Sequence, residues 1–125
     1  MRQNVIRSKS FFLAVRVIEC YKHLVQNKKE FVISRQLLKS GTSIGALVRE
    51  AEHAESKADF VHKLSIGLKE ANETLYWIEL LEETKFLESR NSVKLKNEAE
   101  EVLKILVKIL KTLRKSENQV NRIEV

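Results

Sequence analysis

QLLKSGTSIGALVREAEHAESKADFVHKLSIGLKEANETLYWIELL, residues 36–81, contains all three glycines of the chain, Gly41, Gly45 and Gly67. It reads as the end of one helix, a tight turn and a whole second helix. All three glycines fall inside helical pattern and none in a candidate loop. A helix-interior glycine costs about 1 kcal/mol relative to alanine, so its placement predicts an offsetting gain. Close backbone approach between packed helices supplies one, and the spacing of Gly41 and Gly45 by one turn makes a smooth groove for a neighbouring helix.

Outward from this stretch the composition is that of an all-α protein. The chain has 125 residues, no proline and a charged fraction of 32%, and leucine, glutamate and lysine are its commonest residues, a balance that suits helices. This length suits one domain with a real core. No apolar run approaches the roughly 18 residues that cross a bilayer, so no membrane role is expected. Residues 1–9 carry charge without a following apolar segment, which argues against a secretory signal. One cysteine, Cys20, cannot close an internal disulfide, and a cytoplasmic location is expected. The net charge of +6 permits a nucleic-acid or acidic partner without requiring one.

Periodicity predicts four helices. The first begins at Ser8 or Ser10 and ends at Gln26, with Phe11, Ala14, Ile18, Tyr21 and Val25 as its expected stripe. The second spans 31–54, with Ile33, Leu37, Ile44, Val48 and Ala51 inward and Gly41 and Gly45 on the flank as close-packing positions. Ser56 and Asp59 form a variant capping box that starts the third helix. Its broad face is Phe60, Val61, Leu64, Leu68, Ala71, Leu75, Ile78 and Leu81. Residues 83–92 are expected to be the longest loop. The fourth helix follows over 93–115, with Leu95, Ala99, Val102, Leu106, Ile109 and Leu113 in heptad spacing. Residues 1–115 are thus read as an antiparallel up-down-up-down four-helix bundle, and 116–125 as a polar, frayed tail.

Ile66, Trp77 and Leu80 lie nearly opposite the main face of the third helix. With Glu70 and Glu73 beside them, they form a candidate oligomer interface, and surplus apolar residues on the first and fourth helices point the same way. A homo-oligomer is expected.

The segments Gln36-Leu37-Leu38, Ser40-Gly41-Thr42-Ser43-Ile44-Gly45-Ala46, Arg49-Glu50-Ala51, Ser56-Lys57-Ala58-Asp59-Phe60 and Leu68-Lys69-Glu70-Ala71 through Glu73-Thr74 to Trp77 are specific in combination. Together they resemble the bacterial four-helix-bundle proteins encoded in 23S rRNA intervening sequences, the S23-type proteins. The resemblance runs over 11–113. It departs at Leu47, where the family commonly carries asparagine; a hydrogen bond from that amide would here be replaced by packing. The resemblance implies an up-down bundle assembled as a ring, a homopentamer. It is similar in turn to accessory proteins of diversity-generating retroelements, whose pentameric barrels bind nucleic acid and a reverse transcriptase.

For chemistry, the sequence offers surfaces rather than a catalytic constellation. Lys104, Lys108, Lys111 and Lys115 share a narrow arc opposite the seam of the fourth helix, and Arg35, Lys39 and Arg49 form a looser basic edge on the second. These are the candidate RNA- or DNA-binding residues, through salt-sensitive phosphate contact; the same pattern also serves a plain solvated face. No aromatic interleaving accompanies them to support base stacking. Glu50-Ala51-Glu52-His53 and Asp59-Phe60-Val61-His62 have the spacing of di-iron ligands. However, His53 and His62 project away from the apolar faces, so no metal and no cofactor is expected. Cys20 reads as a buried structural thiol. The sequence therefore supports a non-enzymatic helical oligomer that binds nucleic acid. A protein-binding adaptor is the alternative, and a helical enzyme a distant third.

Overall fold

Four helices follow one another in a computed structural model that describes residues 2–124, with side-chain environments described over 5–116. They are α1 (Arg2–Gln26), α2 (Ile33–Glu52), α3 (Lys57–Glu83) and α4 (Ser89–Glu124). Each packs on its neighbour in sequence and α4 returns to α1, while neither diagonal pair makes close backbone contact among the described residues. With short links this is the expected all-α antiparallel four-helix bundle. One core runs its length, from Ile6, Ala51, Leu64 and Ile109 to Leu24, Leu37, Leu81 and Leu87.

The inner faces of α2, α3 and α4 lie where periodicity places them. Leu37, Ile44, Val48 and Ala51 are buried on α2, Leu64, Ala71, Ile78 and Leu81 on α3, and Leu95, Ala99, Val102, Leu106 and Ile109 on α4. Ile33, Phe60, Val61, Leu68, Leu75 and Leu113 pack partly buried against them. Helix α1 is different. Its core residues are Ile6, Ser10, Leu13, Val17 and Leu24, whereas Phe11 and Ile18 of the expected stripe are 48% and 38% exposed. At about 100° per residue, the buried stripe is turned by roughly 100° from the expected one. Apolar residues surround α1, so spacing alone leaves its rotation open, and α2 decides it. A Cβ on Gly41 would lie 2.7 Å from both methyls of Val17, and one on Gly45 would lie 3.5 Å from the Ser10 carbonyl oxygen. The α2 groove therefore receives Val17 and the backbone at Ser10.

Boundaries shift for equally local reasons. Helix α1 begins at Arg2 rather than Ser8 or Ser10, because Ile6 reaches the core. Helix α4 begins at Ser89 rather than Val93: Ser92 is buried and its hydroxyl donates to the Glu82 carboxylate on α3. The link 84–88 is consequently shorter than 27–32, which is the longest connection. Lys29 (φ 56°) and Lys85 (φ 68°) take the left-handed conformation in these two links. The frame of α3 starts as expected, with the Asp59 amide donating to the Ser56 hydroxyl at 3.0 Å. At α2 the cap was not foreseen. The carboxylate of Glu30, itself buried, accepts from the amides of Val32, Ile33 and Ser34. Helix α4 runs on to Glu124 rather than ending at Lys115, so the stretch read as a tail continues the helix, while its side chains beyond Ser116 lie outside the described set.

Candidate nucleic-acid interface

Antiparallel order brings the start of α1, the end of α2, the start of α3 and the C-terminal half of α4 to one end of the bundle. Ile6, Val48, Ala51, Phe60, Leu64 and Ile109 meet there. Lys104, Lys108, Lys111 and Lys115 flank Ile109 in sequence, and all four are exposed. No ion pair engages any of them among the described residues. No acidic residue occurs between Glu101 and Ser116. The side chains of Leu103, Lys104, Val107, Lys108, Lys111 and Thr112 line a shallow groove of about 410 Å³. The lysine spacing covers roughly 16 Å of helix at 1.5 Å per residue.

The second basic group is not continuous with the first. Arg35, Lys39 and Arg49 are exposed on α2, diagonal to α4 and separated from it by α1 and α3. Arg35 stands near the opposite end of the bundle, in the first turn of α2. Lys39 lies close enough to Glu70 of α3 for its charge to act on that carboxyl. Only Arg49 shares the end occupied by the α4 lysines. Its guanidinium sits 5.6 Å from the centroid of the Phe11 ring, beside Phe12, Arg7 and Ser8. Basic and aromatic side chains are therefore interleaved after all, across the α1–α2 edge. The sequence hid this because the two groups lie on different helices.

On α3 the candidate oligomer residues Ile66, Glu70, Glu73, Trp77 and Leu80 repeat at 4-3-4-3 spacing. Glu73 is exposed and the other four are half-buried. The Glu70 carboxyl is pushed above its ordinary pKa by partial burial and then by the neighbouring Glu73, with Lys39 opposing. Trp77 packs against the core and stands edge-on to Tyr76 at 5.0 Å. Its indole N–H is buried without an acceptor among the described residues, so packing holds the ring there.

Residues 2–108 match the family described as 23S rRNA-intervening sequence protein. The chain belongs to that family. A crystal structure of a protein of unknown function from the S23 ribosomal protein family of Bacteroides thetaiotaomicron VPI-5482 is 51% identical, with a TM-score of 0.87, over 89% of this chain and 99% of that one. No protein with a curated description matches.

Within this intervening-sequence protein, the buried interhelical hydrogen bond of the α2–α3 seam among the described residues comes from other residues than position 47. The Thr74 hydroxyl donates to the buried Ser40 hydroxyl at 3.0 Å, a contact worth about 1 kcal/mol. Leu47 lies half-buried, 3.9 Å from where a Cβ on Gly67 would stand. His53 and His62 are exposed, and no group of three or more His, Cys, Asp or Glu is gathered among the described residues. Cys20 borders a cleft of about 260 Å³ between α1 and the start of α4, with Arg16, His23, Leu87 and Leu95. Burial pushes its thiol pKa up to about 11, the reverse of what a nucleophile needs.

Proposed function

We propose that this S23-family chain is a non-enzymatic, cytoplasmic scaffold of identical copies that holds RNA or DNA by multivalent phosphate contact. The observation that carries this reading is the row of four exposed, unpaired lysines on the outer arc of α4. Multiplied around a ring, a pentamer by family resemblance, such rows would track a phosphate backbone with little base readout. The stripe Ile66, Glu70, Glu73, Trp77 and Leu80 is the proposed contact between copies. Phosphate contact of this kind is strongly salt-dependent: neutralising four phosphates gives a log-log slope of about −3 to −4.

The test is a titration against structured RNA and duplex DNA at low and near-physiological salt. Binding that survives moderate salt, and is lost with its salt slope in Lys104/Lys108/Lys111/Lys115→Ala, supports the reading. Absence of binding, or weak low-salt association indifferent to those changes, sinks it. In that event the protein-adaptor reading leads, favoured by Val32 and Tyr76, large apolar side chains left in water, and checked by stoichiometric co-purification of one protein.

A further inference from the structure

At the end of the bundle that the α4 lysines also occupy, but on another side of it, a cleft of about 260 Å³ opens between α1 and α2, lined by Arg7, Ser8, Phe11, Phe12 and Arg49. Two adjacent phenylalanines stand in water here. Phe12 is 59% exposed, and its ring meets Phe11 edge-on, with centroids 5.5 Å apart and planes at 82°. The neighbouring charges are mostly satisfied. Arg7 pairs with Glu52 at 3.3 Å and Glu50 pairs with Lys63 at 3.4 Å, so neither nearby carboxylate is left to repel an anion. Arg49 alone has no carboxylate partner among the described residues. Its Cζ lies 5.6 Å from the Phe11 ring centroid, and with no carboxylate engaging it the guanidinium keeps N–H donors for a phosphate.

We infer that this cleft binds an unpaired base of a single-stranded polynucleotide, stacked on Phe12, with the flanking phosphate held by Arg49. The inference rests on the nucleic-acid reading above and narrows it to strands with free bases. An aromatic face takes any base because every base has a π-face, but the base must be out of its duplex. A rim holding one unpaired guanidinium, that of Arg49, and a serine hydroxyl suits a phosphate better than it suits the apolar face of a protein helix. The cleft and the lysine row share one end of the bundle, so a strand passing around that end meets both a stacking point and an electrostatic track.

The experiment is an anisotropy titration of the full chain near physiological salt. The probes are dye-labelled single-stranded RNA and DNA of about 12 nucleotides, and a duplex of the same sequence. Single strands are expected to bind more tightly than the duplex. Phe12→Ala should weaken single-strand binding by roughly 5- to 100-fold, Phe12→Trp should retain it, and Arg49→Ala should weaken it with partial recovery in Arg49→Lys. Duplex binding through the lysines should be unmoved in Phe12→Ala, and the RNA and DNA arms tell which strand the cleft prefers. Phe12→Ala binding single strands like the parent, or losing single strand and duplex equally, overturns the inference while the lysine reading stands. A change in the Phe12→Ala oligomeric mass by light scattering also overturns it, because the cleft would then be a seam between copies. A parent chain that binds none of the probes removes both readings.

Discussion

At the scale of single residues, the three glycines do different work although they look alike in sequence. Gly41 faces Val17 with no room for a methyl group, whereas a Cβ on Gly67 meets nothing nearer than 3.9 Å. Gly41→Ala should therefore destabilise by about 1–3 kcal/mol through overpacking, and Val17→Ala in the same chain should recover part of the loss. Gly67→Ala should instead stabilise by up to about 1 kcal/mol, the helix-propensity difference. Urea unfolding of the four chains checks both signs. Cys20 supplies a second residue-scale expectation. Its pKa is raised from 9.0 to about 11 in the folded chain, so the folded state keeps the thiol proton longer than the unfolded state does. The stabilisation is full below about pH 9 and falls as pH rises toward 11. Comparing stability across that window in the parent and Cys20→Ala should show a steeper decline in the parent. A thiol-reactive dye should also label native Cys20 far more slowly than the urea-unfolded chain near neutral pH.

At the scale of elements, the same buried carboxylate that closes the first link starts the second helix. Glu30 receives three α2 amides, and the Ser34 hydroxyl donates back to its carbonyl at 2.8 Å. Glu30→Ala should cost about 1–2 kcal/mol, as loss of a strong N-cap does, read as a lowered urea midpoint with an unchanged slope. The sequence shows only a polar run at 26–30, because the carboxylate acts two residues ahead of Val32, the residue at the cap position. Elsewhere the elements were readable to the degree that their apolar residues form a single stripe. The inner faces of α2 and α4 follow one dominant stripe each and lie where the spacing puts them, although the ends of α4 do not. Helix α1 has apolar side chains on several sides, and its rotation depends on which of them fits Gly41. Ser92 was read as loop because its helical partner, the Glu82 carboxylate, lies in another element. The basic–aromatic juxtaposition of Arg49 with Phe11 escaped for the same reason: it exists only once α1 and α2 are packed.

At the scale of the whole molecule, the candidate basic residues separate into distinct groups. Lys104, Lys108, Lys111, Lys115 and Arg49 lie toward one end, while Arg35 lies toward the other and Lys39 between. Charge removal at Arg35 should accordingly change nucleic-acid affinity much less than removal at Lys108, a difference that parallel titrations at one salt concentration will read. Assembly is tested independently. Ile66→Glu with Leu80→Glu places like charges beside Glu70 and Glu73, and light scattering should then give the single-chain mass of 14.5 kDa in place of a larger parent mass.

Helix α1 has its weakest contact with α4, the smallest of the four helix–helix seams. Lys9–Glu101 and Arg16–Glu98 bridge that seam at 2.8 and 2.7 Å, and such partly exposed pairs contribute less than about 1 kcal/mol each. The ring of helices thus has a clasp in which two ion pairs supplement the smallest contact, whereas each other seam carries one pair over a broader contact among the described residues. Added salt loosens that clasp while leaving the α2–α3 hairpin intact. Amide hydrogens facing the α1–α4 seam should trade with deuterium earlier than those of α2 and α3, and earlier still as ionic strength rises, because the bundle unlatches along one line before it unfolds.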